Sequence, residues 1–226
     1  MRILVACCVV FLWCCGVQPP SVAGGILLRY SGSTLTAGAG GIVDVFVSSD
    51  AVAGSPDVLD SFSAQFQIAP VGAAPSAGLQ FVDPQGDSQV GQTNYVFFGD
   101  NLTPSPLGLV SSVTNPNDTY TGGDATVSGA GAALDSSSGE RLLFRLDLSA
   151  APGTAGSQYT LRLVNSGSTS FLATSFHALP IDSSAFHPIT LTAAVPEPAT
   201  WCVTAAVFCA AVLRMRRPRS GSATAV

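Results

Sequence analysis

The sequence predicts an all-β protein, a single antiparallel β-sandwich over residues 24–194. Three observations point there. Apolar residues recur every second position in several separate stretches. Clusters of Gly, Pro, Asn, Asp and Ser divide those stretches. No sustained helical periodicity occurs between the two apolar ends of the chain.

The clearest alternation places Phe62, Ala64, Phe66 and Ile68 against Ser61, Ser63, Gln65 and Gln67. Leu142, Phe144, Leu146 and Leu148 alternate with Arg141, Leu143, Arg145 and Asp147. Tyr159, Leu161 and Leu163 alternate with Gln158, Thr160 and Arg162, and Val43, Val45 and Val47 share a face opposite Asp44. Each stretch has one apolar and one wet face, as a half-buried antiparallel strand requires. Weaker strand signals lie at 26–30, 79–82, 95–98, 107–113, 125–128, 171–176 and 187–192. Turn residues cluster at 38–41, 53–56, 115–118 and 150–156.

Composition narrows the chemistry. The chain has 226 residues, of which only 10% are charged, against about 25% in an average soluble protein. It has no lysine. Residues 24–195 carry four arginines against twelve aspartates and one glutamate, a formal net charge of −9. Phosphate backbones are held by clusters of Lys and Arg, so nucleic acid is excluded as a partner. All six cysteines, Cys7, Cys8, Cys14, Cys15, Cys202 and Cys209, lie in the two terminal apolar segments. The central domain therefore has no disulfide, thiolate metal site or cysteine nucleophile. The terminal cysteines read as small apolar filler.

Residues 1–23 have the three parts of a secretory signal peptide. Arg2 supplies the positive start, and an apolar run from Ile3 extends through Cys15. Ser21-Val22-Ala23 then offers small residues to signal peptidase, with cleavage between Ala23 and Gly24. Trp13 before Cys14, and Cys14 before Cys15, match a lipoprotein signal poorly.

At the other end, Val195-Pro196-Glu197-Pro198 precedes an apolar run over 199–213 and a basic cluster of Arg214, Arg216, Arg217 and Arg219. The prolines hold their segment extended. Fifteen residues of helix reach roughly 22 Å, short of a hydrocarbon core of about 30 Å. Snorkelling arginines offset the shortfall and stay on the cytoplasmic side, leaving the domain outside. This order of parts over 195–219 resembles the PEP-CTERM sorting signal of exported bacterial proteins, with 220–226 left as a cytoplasmic tail. The resemblance implies a membrane protease of the exosortase type as partner, cleavage near the Pro-Glu-Pro, and an association with exopolysaccharide matrix. It also implies passage through the Sec translocon and transient anchoring by the short transmembrane helix before release to the cell surface or medium. The alternative is a plain anchor that no protease cuts.

In the middle of the chain, a Gly-rich turn leads into Ile42-Val-Asp-Val-Phe-Val47, followed by the strand with Phe62 and Phe66. Gly139-Glu-Arg-Leu-Leu-Phe-Arg-Leu146 then precedes a loop and Tyr159-Thr-Leu-Arg-Leu163. That order resembles the jelly-roll sandwiches of cohesins and related carbohydrate-binding modules. Cohesins bind dockerin modules and related sandwiches bind polysaccharide, and neither activity follows from a fold alone.

Catalytic motifs are missing from the sequence. His177 and His187 lack metal-ligand spacing, no G-x-S-x-G elbow occurs, and Glu140 is the single glutamate of residues 24–194. The protein is therefore expected not to be an enzyme and to need no cofactor. A structural Ca²⁺ is one candidate, because Asp83-Pro-Gln-Gly-Asp87 and Asn115-Pro-Asn-Asp118, with Asp124, are oxygen-rich loops. For sugar stacking, Tyr120 in its Gly/Thr/Asn/Asp surroundings is the expected exposed aromatic. The sequons at Asn101 and Asn117 carry no functional weight.

The first functional expectation is an exported, non-catalytic cell-surface or extracellular-matrix protein sorted through its tail. The alternative is a cohesin-like carbohydrate- or protein-binding module. A hydrolase with an unrecognised site is a minor third.

Overall fold

The computed structural model describes residues 25–103, 111–182 and 186–194. The chain divides into two compact units, Met1–Thr192 and Ala193–Val226, and every element described belongs to the first. The signal segment, the Pro-Glu-Pro tail and both flanking helices expected from the sequence lie outside the described residues.

The described residues form twelve strands and one short 3-10 turn, Ser88–Gly91. The strands are β1 (Ile26–Tyr30), β2 (Thr34–Thr36), β3 (Gly41–Ser49), β4 (Asp57–Pro70), β5 (Leu79–Phe81) and β6 (Ser112–Thr114). They continue as β7 (Thr119–Ala125), β8 (Ala132–Leu134), β9 (Arg141–Ala150), β10 (Gln158–Leu163), β11 (Ser170–Ala173) and β12 (Phe186–Thr192). One sheet has four strands in the order β1-β3-β9-β5. The other has eight, with β2-β12-β10-β4-β7-β6 in line and β8 and β11 pairing to β4.

The two sheets meet over an aromatic core. Phe144 of β9 packs edge-on against Phe62, Phe66 and Tyr120 of the opposing sheet, with ring centroids 5.2, 5.3 and 5.8 Å away. Phe62 extends the cluster to Phe97 and Phe171, and Phe66 extends it to Tyr30. Edge-to-face geometry sets the positive rim of one ring against the negative face of another. The aliphatic residues of the same alternating faces, among them Val43, Val45, Leu146, Leu161 and Ile189, fill the space around the rings.

The sandwich is not wholly antiparallel. β2 runs parallel to β12, pairing Thr34 with Thr190 and Thr36 with Thr192. The first segment pairs with the last twice in the same sense, at Ile26–Ile181 and again at Leu35–Leu191. It therefore crosses from one sheet to the other without reversing. Gly32, at φ 85°, makes the crossing, and a Cβ there would overlap the backbone of Ile42.

Leu143, expected on the wet face of its strand, is fully buried. The register of β3 against β9 shifts beside it, with Val45 facing Phe144 and Phe46 facing Leu142. Leu143 is the extra residue of a β-bulge, which turns its side chain inward and breaks the alternation. Residues 96–98 form turns rather than a strand, and Tyr95 makes only an isolated bridge to Leu142. They lie along Leu142 through backbone bonds from Val96 N to Leu142 O and from Leu142 N to Asn94 O. Of 125–128 only Ala125 is in a strand, and of 107–113 the described strand residues are Ser112 and Val113. β7 gave no strand signal because of its two glycines. Gly122 is required there, since a Cβ would overlap the Tyr120 ring that folds across it.

Phe144→Ala is expected to cost about 3–5 kcal/mol, the range for removing a buried phenylalanine. Urea unfolding should show a lower midpoint at an unchanged slope.

Candidate functional site

The structure relocates Tyr120. It is 3% exposed, with its ring between Phe81 and Phe144. Its loop-like sequence is a strand whose odd members face outward, so Tyr120 points into the core and cannot serve as a sugar platform. Burial pushes its phenol pKa up.

Asp124 is 1% exposed. Its Oδ2 accepts the Tyr95 hydroxyl at 2.7 Å, and its Oδ1 accepts the backbone N–H groups of Thr103 and Ala125 at 2.9 and 2.8 Å. The carboxylate thus fastens the 95–103 segment to β7. Burial, then the adjacent carboxylate, pushes the Tyr95 pKa up and keeps that phenol a donor. The other calcium candidates are apart from this arrangement. Asp83 and Asp87 are exposed, and Asp118 accepts the Thr119 hydroxyl. Among the described residues no three of His, Cys, Asp and Glu stand where they could hold a metal ion. Ala23, Gly24, Val195, Pro196, Glu197, Pro198, Arg214, Arg216 and Arg217 lie outside the described residues.

His177 is exposed, whereas His187 stacks on Tyr30 with ring centroids 5.4 Å apart and planes 19° apart. Burial lowers the His187 pKa, opposed by a smaller effect of the Gly32 backbone. Tyr30, also buried, is pushed up to about 12.

The outer faces of the two sheets differ in chemistry. On the four-stranded sheet two ion pairs take up most of the charge, and Asp147 is left outside them. Arg145 Nε donates to Asp44 Oδ1 at 2.8 Å. Arg29 pairs with Glu140 at 2.5 Å and lies over the Phe46 ring, 4.6 Å from its centroid. Such a face has little unmet bonding capacity.

The eight-stranded sheet presents a neutral, hydrogen-bonding surface. Its register sets Phe186, Arg162, Gln67, Thr119 and Thr114 side by side across five strands. That row is roughly 19 Å wide at about 4.8 Å per strand. A second row holds Gln65, Thr121 and Ser112, and a third Ser170 and Ser63. Arg162 donates to Gln67 Oε1 at 2.6 Å and Ser166 to Gln65 Oε1 at 2.8 Å, which orients both amides. Phe186, 65% exposed, is an apolar anchor at the end of the first row. The period-two reading already put Ser61, Ser63, Gln65 and Gln67 on a wet face. Only the register showed which neighbours extend it.

Among solved structures, the chain is similar to the sixth cohesin of scaffoldin B from Acetivibrio cellulolyticus, in complex with a dockerin. The TM-score is 0.50 at 12% identity, over 74% of this chain and 99% of that one. The fold is cohesin-like. A type I cohesin–dockerin complex from Clostridium thermocellum aligns at TM-score 0.49 and 9% identity, over 75% of this chain and 95% of that one. A type I cohesin of Pseudobacteroides cellulosolvens aligns at 0.45 and 11%, over 76% and 96%. No protein-family model matches the chain. No curated protein matches it in sequence.

Two predictions follow from these contacts. Asp124→Ala strands a buried phenol and two half-buried N–H groups, and should destabilise the fold by about 3–5 kcal/mol in denaturant titration. His187 is held neutral in the fold, so protonation favours the unfolded chain. Stability should be full above the unfolded value of about 6.5 and fall as pH drops toward the lowered folded value. His187→Gln should remove that component from melting curves recorded between pH 7.5 and 5.

Proposed function

We propose that this protein is an exported, non-catalytic, protein-binding module of cohesin type, whose docking face is the outer surface of the eight-stranded sheet. The observation that carries this reading is the five-strand row Phe186-Arg162-Gln67-Thr119-Thr114. Its hydroxyls and amides surround a single fixed charge, that of Arg162, and one exposed aromatic anchor stands at its end. Few residues of such a face dominate binding, and aromatic and arginine side chains are favoured among them. The opposite face, where two ion pairs occupy four of its charged side chains, is a poorer candidate.

The cohesin-like fold and the dockerin bound to the Acetivibrio module support a dockerin-like protein as partner. The ends of the chain support delivery outside the cell. In this reading signal peptidase cuts between Ala23 and Gly24, and residues 195–219 act as the sorting signal that an exosortase-type protease reads. The domain then works at the cell surface or within an extracellular matrix.

Binding is tested with the full-length chain in non-ionic detergent against a panel of dockerin modules. Thr121→Lys, at the centre of the second row, should weaken the complex by roughly tenfold or more by placing an unmatched charge in the contact. Asp44→Asn on the opposite face should leave affinity unchanged. Loss through Asp44→Asn but not Thr121→Lys would transfer the site to the four-stranded sheet, and no binding to any member would reject a dockerin-like partner. Delivery is tested by intact mass of protein recovered from a host with its own sorting machinery. The expected species starts at Gly24 and ends near 195–198, whereas retention of 199–226 in the membrane fraction would leave the tail as an anchor.

A further inference from the structure

A concavity of about 290 Å³ opens beside the 95–103 segment, and no residue of the proposed docking rows lines it. Phe98, Asp100, Thr126, Ala132, Ala133 and Arg141 line it. Phe98 is 51% exposed, next to core residues Val96 and Phe97, which are almost wholly buried. The turns that replace the expected strand at 95–98 therefore hold three consecutive ring or branched side chains in a fixed order, two in and one out. Asp124 fixes this segment from beneath through Tyr95 and Thr103.

Arg141 is the second feature. Of the four arginines among the described residues, Arg29 and Arg145 are paired with carboxylates and Arg162 with the Gln67 amide. Arg141 has no ion pair or hydrogen-bond partner among the described residues. The one acid in the concavity, Asp100, is engaged elsewhere, accepting the Ser128 N–H at 3.0 Å and the Ser128 hydroxyl at 2.5 Å. The domain is rich in aspartate, yet this guanidinium is left without a carboxylate. Gly131, Ala132 and Ala133 line the same concavity and add little side-chain bulk to it.

We propose that this concavity binds an acidic saccharide, with one uronate residue placed between Phe98 and Arg141. The C–H face of a pyranose ring lies against the aromatic ring, and the planar fork of Arg141 takes the uronate carboxylate in a two-bond contact. The volume, near the lower end of roughly 300–1,000 Å³ for small-molecule sites, suits one sugar residue of a chain whose neighbours remain in solvent. Charge complementarity sets the ligand class. A neutral sugar leaves the guanidinium unmatched, and a free inorganic phosphate or sulfate offers no ring face to Phe98. This site is separate from the protein-docking reading and does not rest on it.

The test is a titration of the full-length chain in non-ionic detergent with tetragalacturonate, tetraglucuronate and hyaluronan hexasaccharide, followed by calorimetry. The fully methyl-esterified tetragalacturonate and a short peptide with a free C-terminal carboxylate are the comparison ligands. Saturable binding to at least one uronate oligomer is expected, weakened roughly tenfold or more by Arg141→Gln, by Phe98→Ser and by esterification. Arg145→Gln, on the four-stranded sheet, should leave it unchanged. Melting temperatures of the Arg141 and Phe98 variants should stay at the parental value, since both side chains reach solvent. No uronate binding, binding indifferent to Arg141→Gln or to esterification, or preference for the peptide would each overturn the proposal.

Discussion

The contact on which the fold depends is the edge-on packing of Phe144 against Phe62, Phe66 and Tyr120. A sandwich without disulfides must hold its sheets together by shape and apolar burial alone. Three perpendicular ring contacts from one residue fix both the spacing of the sheets and their relative slide. The bulge at Leu143 serves the same end. It adds a second inward side chain just before Phe144, so that β9 fills more of the layer than strict alternation allows. Gly122 completes the fit by leaving room for the Tyr120 ring on its own strand.

That core decides where the polar groups go. Asp124 occupies a position that would be apolar in an unbroken strand pattern, and its cost of burial is met by three donors. The reward is architectural: the 95–103 segment, which holds no strand, is pinned in one place. The pinned segment then displays Phe98 beside Arg141, so the buried carboxylate and the open concavity are two sides of one construction.

The division of labour between the outer faces follows from charge. With four arginines and thirteen acids in residues 24–195, every arginine has many potential partners. Two meet carboxylates across the four-stranded sheet and neutralise that face. The other sheet has mostly Ser, Thr and Gln at its outward positions, with Arg162 and Asp60 as its isolated charges, giving a surface that is soluble with little charge. Such a surface favours recognition by directional hydrogen bonds over long-range attraction.

The sequence by itself determined the all-β class, the apolar faces of β3, β4, β9 and β10, and the burial of Tyr159, because side chains alternate strictly along a strand and the pattern is local. It also bounded the chemistry, through the absence of lysine, of central cysteine and of catalytic motifs. Tertiary structure decided what depends on distant partners. Tyr120 and Asp124 read as loop residues because their strand is broken by glycines that only a neighbouring ring explains. Leu143 read as outward because a bulge is visible only against the register of β3. β2 gave no signal because three residues carry no period, and its parallel pairing with β12 joins Thr34 to Thr190, far apart in the sequence. Arg141 could not be told from its fellow arginines in the sequence, since what sets it apart is which carboxylates the fold brings near the others and not near it.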